Sequence, residues 1–91
     1  MFNLLKKKLS TDIRISKIFM HDDFLCVKPQ KGNFDMIYRA GMSVNWNKDL
    51  KCLYYTHDNA DNEVKIETIK KAVNNEYGVN LFTDEKTKRL V

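Results

Sequence analysis

The chain has 91 residues, 43% hydrophobic and 31% charged, with 16 Lys and Arg against 12 Asp and Glu for a net charge of +4. This length fits one domain, 1–91, burying roughly 60–65% of its unfolded surface, and the composition excludes a disordered or low-complexity chain. No apolar run approaches the ~18–20 residues of a membrane span.

The start, "MFNLLKKKLS", places Phe2, Leu5 and Leu9 on one helical face beside Lys6, Lys7 and Lys8, so 1–9 reads as a short amphipathic helix that needs a docking partner to be stable. Its charges follow its apolar residues, which is the wrong order for a secretory signal. With two Cys and no such signal, the expectation is a reducing cytoplasm and free thiols.

From Ile13 the pattern alternates with period two, Ile13, Ile15, Lys17 and Phe19 against Arg14, Ser16, Ile18 and Met20, which reads as a strand. "HDD" offers a turn and "FLCV" a second strand. "PQKGN" breaks the chain. A third apolar stretch runs from Phe34 to Trp46, with Met42, Val44 and Trp46 on one face and a bulge expected at Gly41. "NKDLK" reads as a reverse turn and "CLYYT" as a fourth strand, so 34–57 reads as a hairpin.

The segment 62–77 is the clearest helix. Asp61 or Asn62 can cap it, Ile66, Ile69, Val73 and Tyr77 form an apolar stripe with Ala72 beside them, and Gly78 stops it. "VNLFT" follows as a last strand, and 84–91, with Lys86, Lys88 and Arg89, reads as a basic tail. The expected fold is α+β: one small antiparallel-rich sheet of four to five strands, with the long helix across one face, in the order (α)ββββαβ.

Little in the sequence points to catalysis. His21-x4-Cys26 and Cys52-x4-His57 carry zinc-type ligands, but residues five apart on a strand face opposite sides. Only a fold-back at Asp22-Asp23 brings the first pair together. Both Cys sit in apolar strands, where burial leaves a thiol inert. No phosphate loop, G-x-S-x-G or H-E-x-x-H is present. Asp22-Asp23 and Asp58–Asp61 occupy a turn and a helix start, where Asp is common for backbone reasons. No catalytic, metal or cofactor residue is therefore assigned.

The aromatic and basic residues of the centre are the candidate interaction surface: Tyr38, Arg39, Trp46, Tyr54 and Tyr55. Tyr54 and Tyr55 lie on opposite faces of their strand. One of them, exposed beside Arg39 and Lys51, would suit base stacking in a single-stranded nucleic-acid site. The alternative is that these rings anchor the core or an oligomer interface.

"IYRAGMSVNW", "CLYY" and "IKKAVNNEYGVNL" resemble a group of small bacterial proteins associated with the mobile gene cassettes of integrons. The pattern falls here on Tyr38, Arg39, Ala40, Val44, Trp46, Tyr54 or Tyr55, Glu76, Tyr77 and Gly78, within Phe34 to Phe82. Before the helix this chain has "HDNADNEV" where the group carries a Trp-containing segment. A second likeness, to small immunity proteins of bacterial toxin systems, lies in the β-rich start and late helix-then-strand. The resemblance implies an accessory binding protein and carries over no functional residues.

The reading is a cytoplasmic, non-catalytic interaction protein without cofactors. Strands apolar on both faces need a second cover, so a homodimer through a sheet face or edge is expected, with Tyr38, Tyr54 or Trp46 among its contacts; the alternative is a monomer in which the segment 1–9 supplies that cover. A ligand or single-stranded nucleic acid is the rival partner, and a small enzyme comes third.

Overall fold

Strand β1 (Thr11–His21) is the axis of the molecule, because three other strands pair with it. The structure, a computed structural model, describes residues 11–91; the helix expected over 1–9 lies outside them. β1 turns through Asp22 and Asp23 into β2 (Phe24–Pro29). Both turn residues have positive φ, 51° and 68°, the geometry of a two-residue hairpin whose twist matches its strands. Asp tolerates that region better than most side chains.

The segment between Pro29 and Val44 departs from the expected strand. It holds a 3₁₀ turn, Ile37–Ala40, that ends on Gly41 with φ 66° and ψ 28°. Gly41 therefore supplies a left-handed cap and not a bulge, and Ser43 also has positive φ, 63°. Two left-handed residues so close together stop the chain from extending before Val44. Only the second half of the expected hairpin is sheet: β3 (Val44–Asn47) and β4 (Cys52–Tyr55), antiparallel, with Trp46 opposite Leu53. The Asn47 side chain holds the connecting turn by accepting from the backbone N–H groups of Asp49 and Leu50.

Helix α1 (Asn62–Tyr77) forms as its sequence dictates. The Asp61 carboxylate accepts from the Val64 N–H at 2.9 Å, and Gly78 closes the helix in the left-handed region. Lys65 lies buried along the helix and donates its Nζ to Asp58 at 3.0 Å.

After α1 come β5 (Val79–Phe82) and β6 (Lys88–Arg89). Both run parallel to β1, β5 along Thr11–Arg14 and β6 along Lys17–Ile18. Among the described residues the sheet is thus mixed and six-stranded, in the order β3-β4-β2-β1-β5 with β6 also on β1. This keeps the α+β class and corrects the expectation of four to five antiparallel-rich strands. The reason is the crossover: α1 carries the chain from β4 across β2 and β1, so it arrives at β5 in the same direction as it left β4. The segment 84–91 contributes β6 to that edge, and Arg89 pairs with Glu63 of α1.

A bulge between Ile15 and Lys17 breaks the alternation of β1. It returns Ile18 to the face of Ile13 and Ile15, and all three are buried. That face, with Leu25, Val27, Leu53 and Leu81, meets Ile66, Ile69, Ala72 and Val73 of α1 in one core, which Phe34 and Ile37 extend. No helix of the described residues is long and apolar enough to cross a membrane.

Candidate functional site

Among the described residues α1 and the 3₁₀ turn occupy one face of the sheet, and no helix packs on the other. The cross-strand register decides what that second face presents. Phe19 stands opposite Cys26, His21 opposite Phe24, and Lys17 opposite Lys28 on β2 and Lys88 on β6. Cys26 in turn stands opposite Tyr54, and Tyr54 opposite Asn45. The face therefore has an aromatic end, Phe19, Phe24 and Tyr54, and a basic middle, Lys17, Lys28 and Lys88.

The rings make direct contact. Phe24 and Tyr54 lie 5.4 Å apart between centroids, tilted at 51°, and the Lys17 ammonium sits 4.6 Å from the Phe19 centroid. Lys28 is committed, since its Nζ donates to the Leu50 carbonyl at 2.6 Å. At the aromatic end a cavity of about 150 Å³ is lined by His21, Asp22, Phe24, Cys26, Asn47 and Tyr54. The fold-back at Asp22-Asp23 thus brings His21 and Cys26 to one pocket. Among the described residues no three His, Cys, Asp or Glu side chains gather as a metal site.

Beneath the rings lie the two free thiols, 2% and 0% exposed for Cys26 and Cys52. The Cys26 thiol donates to the Phe24 carbonyl at 3.5 Å, and the neighbouring Cys52 thiol and then burial push its pKa up. The Cys26 thiol in turn lowers Cys52, and the nearby Lys28 and Lys17 act in that direction against burial. The pair thus gives up one proton more readily than the other.

At the far end of the face Arg14 lies 5.5 Å from the Phe82 centroid and reaches Asp84 through Nε at 2.9 Å and through a terminal nitrogen at 2.8 Å. This pair ties the chain between β5 and β6 back to β1. The Arg14 guanidinium holds the Asp84 carboxyl below its ordinary 3.8. A depressed folded pKa stabilises the fold above the unfolded value and ceases to do so as pH falls through the folded value. Denaturant unfolding of Asp84→Asn should therefore show its deficit against the parent at neutral pH, shrinking below pH ~3.8 and vanishing once the parent's Asp84 is protonated. An equal deficit at both ends would remove the ion pair as its cause.

The five aromatic and basic residues singled out in sequence do not converge. Tyr54 lies on the second face with Phe24. Trp46 and Tyr55 share the core side: Trp46 meets Phe34 edge-on at 5.6 Å, and the buried Tyr55 donates its hydroxyl to Asn59 at 2.9 Å. Tyr38, 58% exposed, and Arg39, 3.4 Å from Glu76, stand on the 3₁₀ turn. Phe19, Phe24, Lys17 and the diagonal placement of Cys26 and Cys52 on paired strands were not singled out in sequence. The shared parity of Phe24 with Cys26, and of Cys52 with Tyr54, is the signal that groups them once β2 and β4 are known to pair.

No curated protein and no solved structure matches the chain. A family model does, that of the Integron Cassette Protein Hfx_Cass5, over residues 13–87. The match takes in every strand from Ile13 of β1 through β5, together with α1, and so covers the core and the second face alike. The chain belongs to the Hfx_Cass5 family of integron cassette proteins.

Proposed function

We propose that this cassette protein is a cytoplasmic, non-catalytic interaction module whose working surface is the sheet face opposite α1, and that its first partner is a second copy of itself. The observation that supports this reading is the grouping of Phe19, Phe24 and Tyr54 on a face that carries no helix among the described residues, with Phe24 37% exposed. An apolar centre of aromatic rings with charged residues around it is the usual anatomy of a protein interface. Two-fold pairing is the commonest way to cover one.

Sedimentation at micromolar concentration tests it. The parent should form a dimer that dissociates on dilution, and Phe24→Ser or Tyr54→Ser should shift the chain toward its 10.8 kDa monomer. A single species of 10.8 kDa, unchanged on concentration, would remove the self-association.

A second reading rests on the three lysines that the register aligns across β2, β1 and β6, beside Phe19 and Tyr54. Aromatic rings flanked by cations bind single-stranded nucleic acid by stacking and phosphate contact. Lys28 is already bound to a carbonyl and Lys17 lies over a ring, which leaves less charge for phosphates than the count suggests. Binding of an oligonucleotide that weakens steeply with salt would favour this reading over the first.

A further inference from the structure

The pocket at the aromatic end of the second face draws on separate pieces of the chain. The end of β1 and its left-handed turn supply His21 and Asp22, β2 supplies Phe24 and Cys26, β4 supplies Tyr54, and the end of β3 supplies Asn47. Its deepest residue is Cys26, whose thiol is taken up by the Phe24 carbonyl. Its wall is the pair of rings, Phe24 and Tyr54, 5.4 Å apart. Its rim is polar. The Asn47 Oδ1 already accepts from the Asp49 and Leu50 N–H groups, so the donor end of that carboxamide, Nδ2, is the one left for a ligand. The Asp22 Oδ2 lies 3.4 Å from the His21 Nε2, which leaves Oδ1 without a partner among the described residues.

A cavity of ~150 Å³ holds one benzene-sized ring, and aromatic walls favour a flat partner that stacks on them. The rim narrows the choice, because it sets one free donor, Asn47 Nδ2, and one free carboxylate acceptor, Asp22 Oδ1, around the same small space. We infer that the pocket binds a single ring of the aminopyrimidine class, stacked on Phe24 and Tyr54, with its amino group donating to Asp22 and a ring acceptor taking the Asn47 proton. A cytosine ring presents this pattern, since its exocyclic amine donates to carboxylates and its neighbouring ring positions accept. A uracil ring sets an oxygen where the amine stands, which turns one acceptor against another and leaves both unpaired. The inference rests on the reading of this face as the working surface, and not on its self-association.

Titration of the full chain with cytidine, followed by backbone-amide NMR and calorimetry, tests the pocket. Saturable shifts are expected at His21, Phe24 and Asn47. Cytidine should bind ~10-fold or more tightly than uridine, the worth of one hydrogen bond to a charged group. Asp22→Asn should erase that preference, because a carboxamide can face either ring. The Asp22 side chain is 81% exposed, and Asn tolerates its left-handed backbone, so this variant keeps the turn. Phe24→Ala should weaken cytidine by ~5–150-fold, the range for one stacking ring. Shifts that do not saturate, shifts centred away from the pocket, equal binding of uridine, or a preference that survives Asp22→Asn would each overturn the assignment. Cytidine carries no phosphate, so its binding is independent of the oligonucleotide test. A chain that sediments as a monomer and binds cytidine removes the self-association and keeps the pocket, and a dimer that ignores cytidine does the reverse.

Discussion

Phe34→Ala should lower the stability of the protein by ~3–5 kcal/mol, the usual loss for a phenyl ring removed from a core. The ring is buried and sits between Trp46, edge-on at 5.6 Å, and Tyr77, edge-on at 5.0 Å. It also serves the backbone around it. A Cβ on Gly32, whose φ is +103°, would stand 2.9 Å from the ring, so the chain passes over Phe34 only because Gly32 has none. The Phe34 carbonyl accepts from the Ile37 N–H at 3.0 Å and starts the 3₁₀ turn, and the Tyr77 hydroxyl accepts from the Met36 N–H at 2.9 Å. Loss of the ring opens a cavity where a strand-free stretch of chain meets the end of α1. Against a total of ~5–15 kcal/mol for a domain, thermal unfolding should fall by more than ~10 °C. A loss under ~1 kcal/mol in denaturant titration would show that the segment 30–43 is held by something other than this ring.

Ile69→Ala should cost ~2–4 kcal/mol. Ile69 lies at the middle of α1 and is fully buried against the sheet, with Ile66 and Val73 one turn to either side. Alanine favours the helix slightly more than isoleucine does, so the loss measures packing and not propensity. Two companions sharpen the test. Ile69→Val removes one methyl group and should cost ~0.5–1.5 kcal/mol. Val64→Ala, on the exposed side of the same helix, should fall within ~0.5 kcal/mol of the parent. Equal losses at Ile69 and Val64 would mean that α1 does not seat on the sheet through this stripe.

Helix α1 was legible because its signals are local. A carboxylate at Asp61, a stripe of apolar side chains and a glycine at position 78 all act within the helix itself. The Asp22-Asp23 turn was legible for the same reason. β5 was readable as a strand, but its direction was not, because parallel pairing with β1 depends on where α1 delivers the chain. The two residues of β6 carry no periodicity at all and are strand only because β1 offers them an edge. The bulge between Ile15 and Lys17 misled the strict alternation, which placed Ile18 on the face opposite Ile13. With Ile18 in the core, β1 is less apolar on its second face than its sequence suggests.

The segment 34–43 illustrates a different limit. Its apolar residues were read as a strand, yet Phe34 and Ile37 enter the core from a loop and a 3₁₀ turn. Of the candidate surface, the opposition of Tyr54 and Tyr55 followed from strand parity alone. The diagonal placement of Cys26 and Cys52 did not, because it needs β4 to lie beside β2, a pairing between segments more than twenty residues apart.

The pairing of β1 with β5 and β6 sets an order of events during synthesis. Thr11 pairs with Val79 and Lys17 with Lys88, so the central strand keeps one edge bare until the ribosome has released the segment that follows α1. At ~5–20 residues per second, that interval lasts several seconds. Such distant pairing is also slow to form, since a long loop must close before its contacts reward it. Over this interval the edge of β1 is open to pairing with another nascent chain.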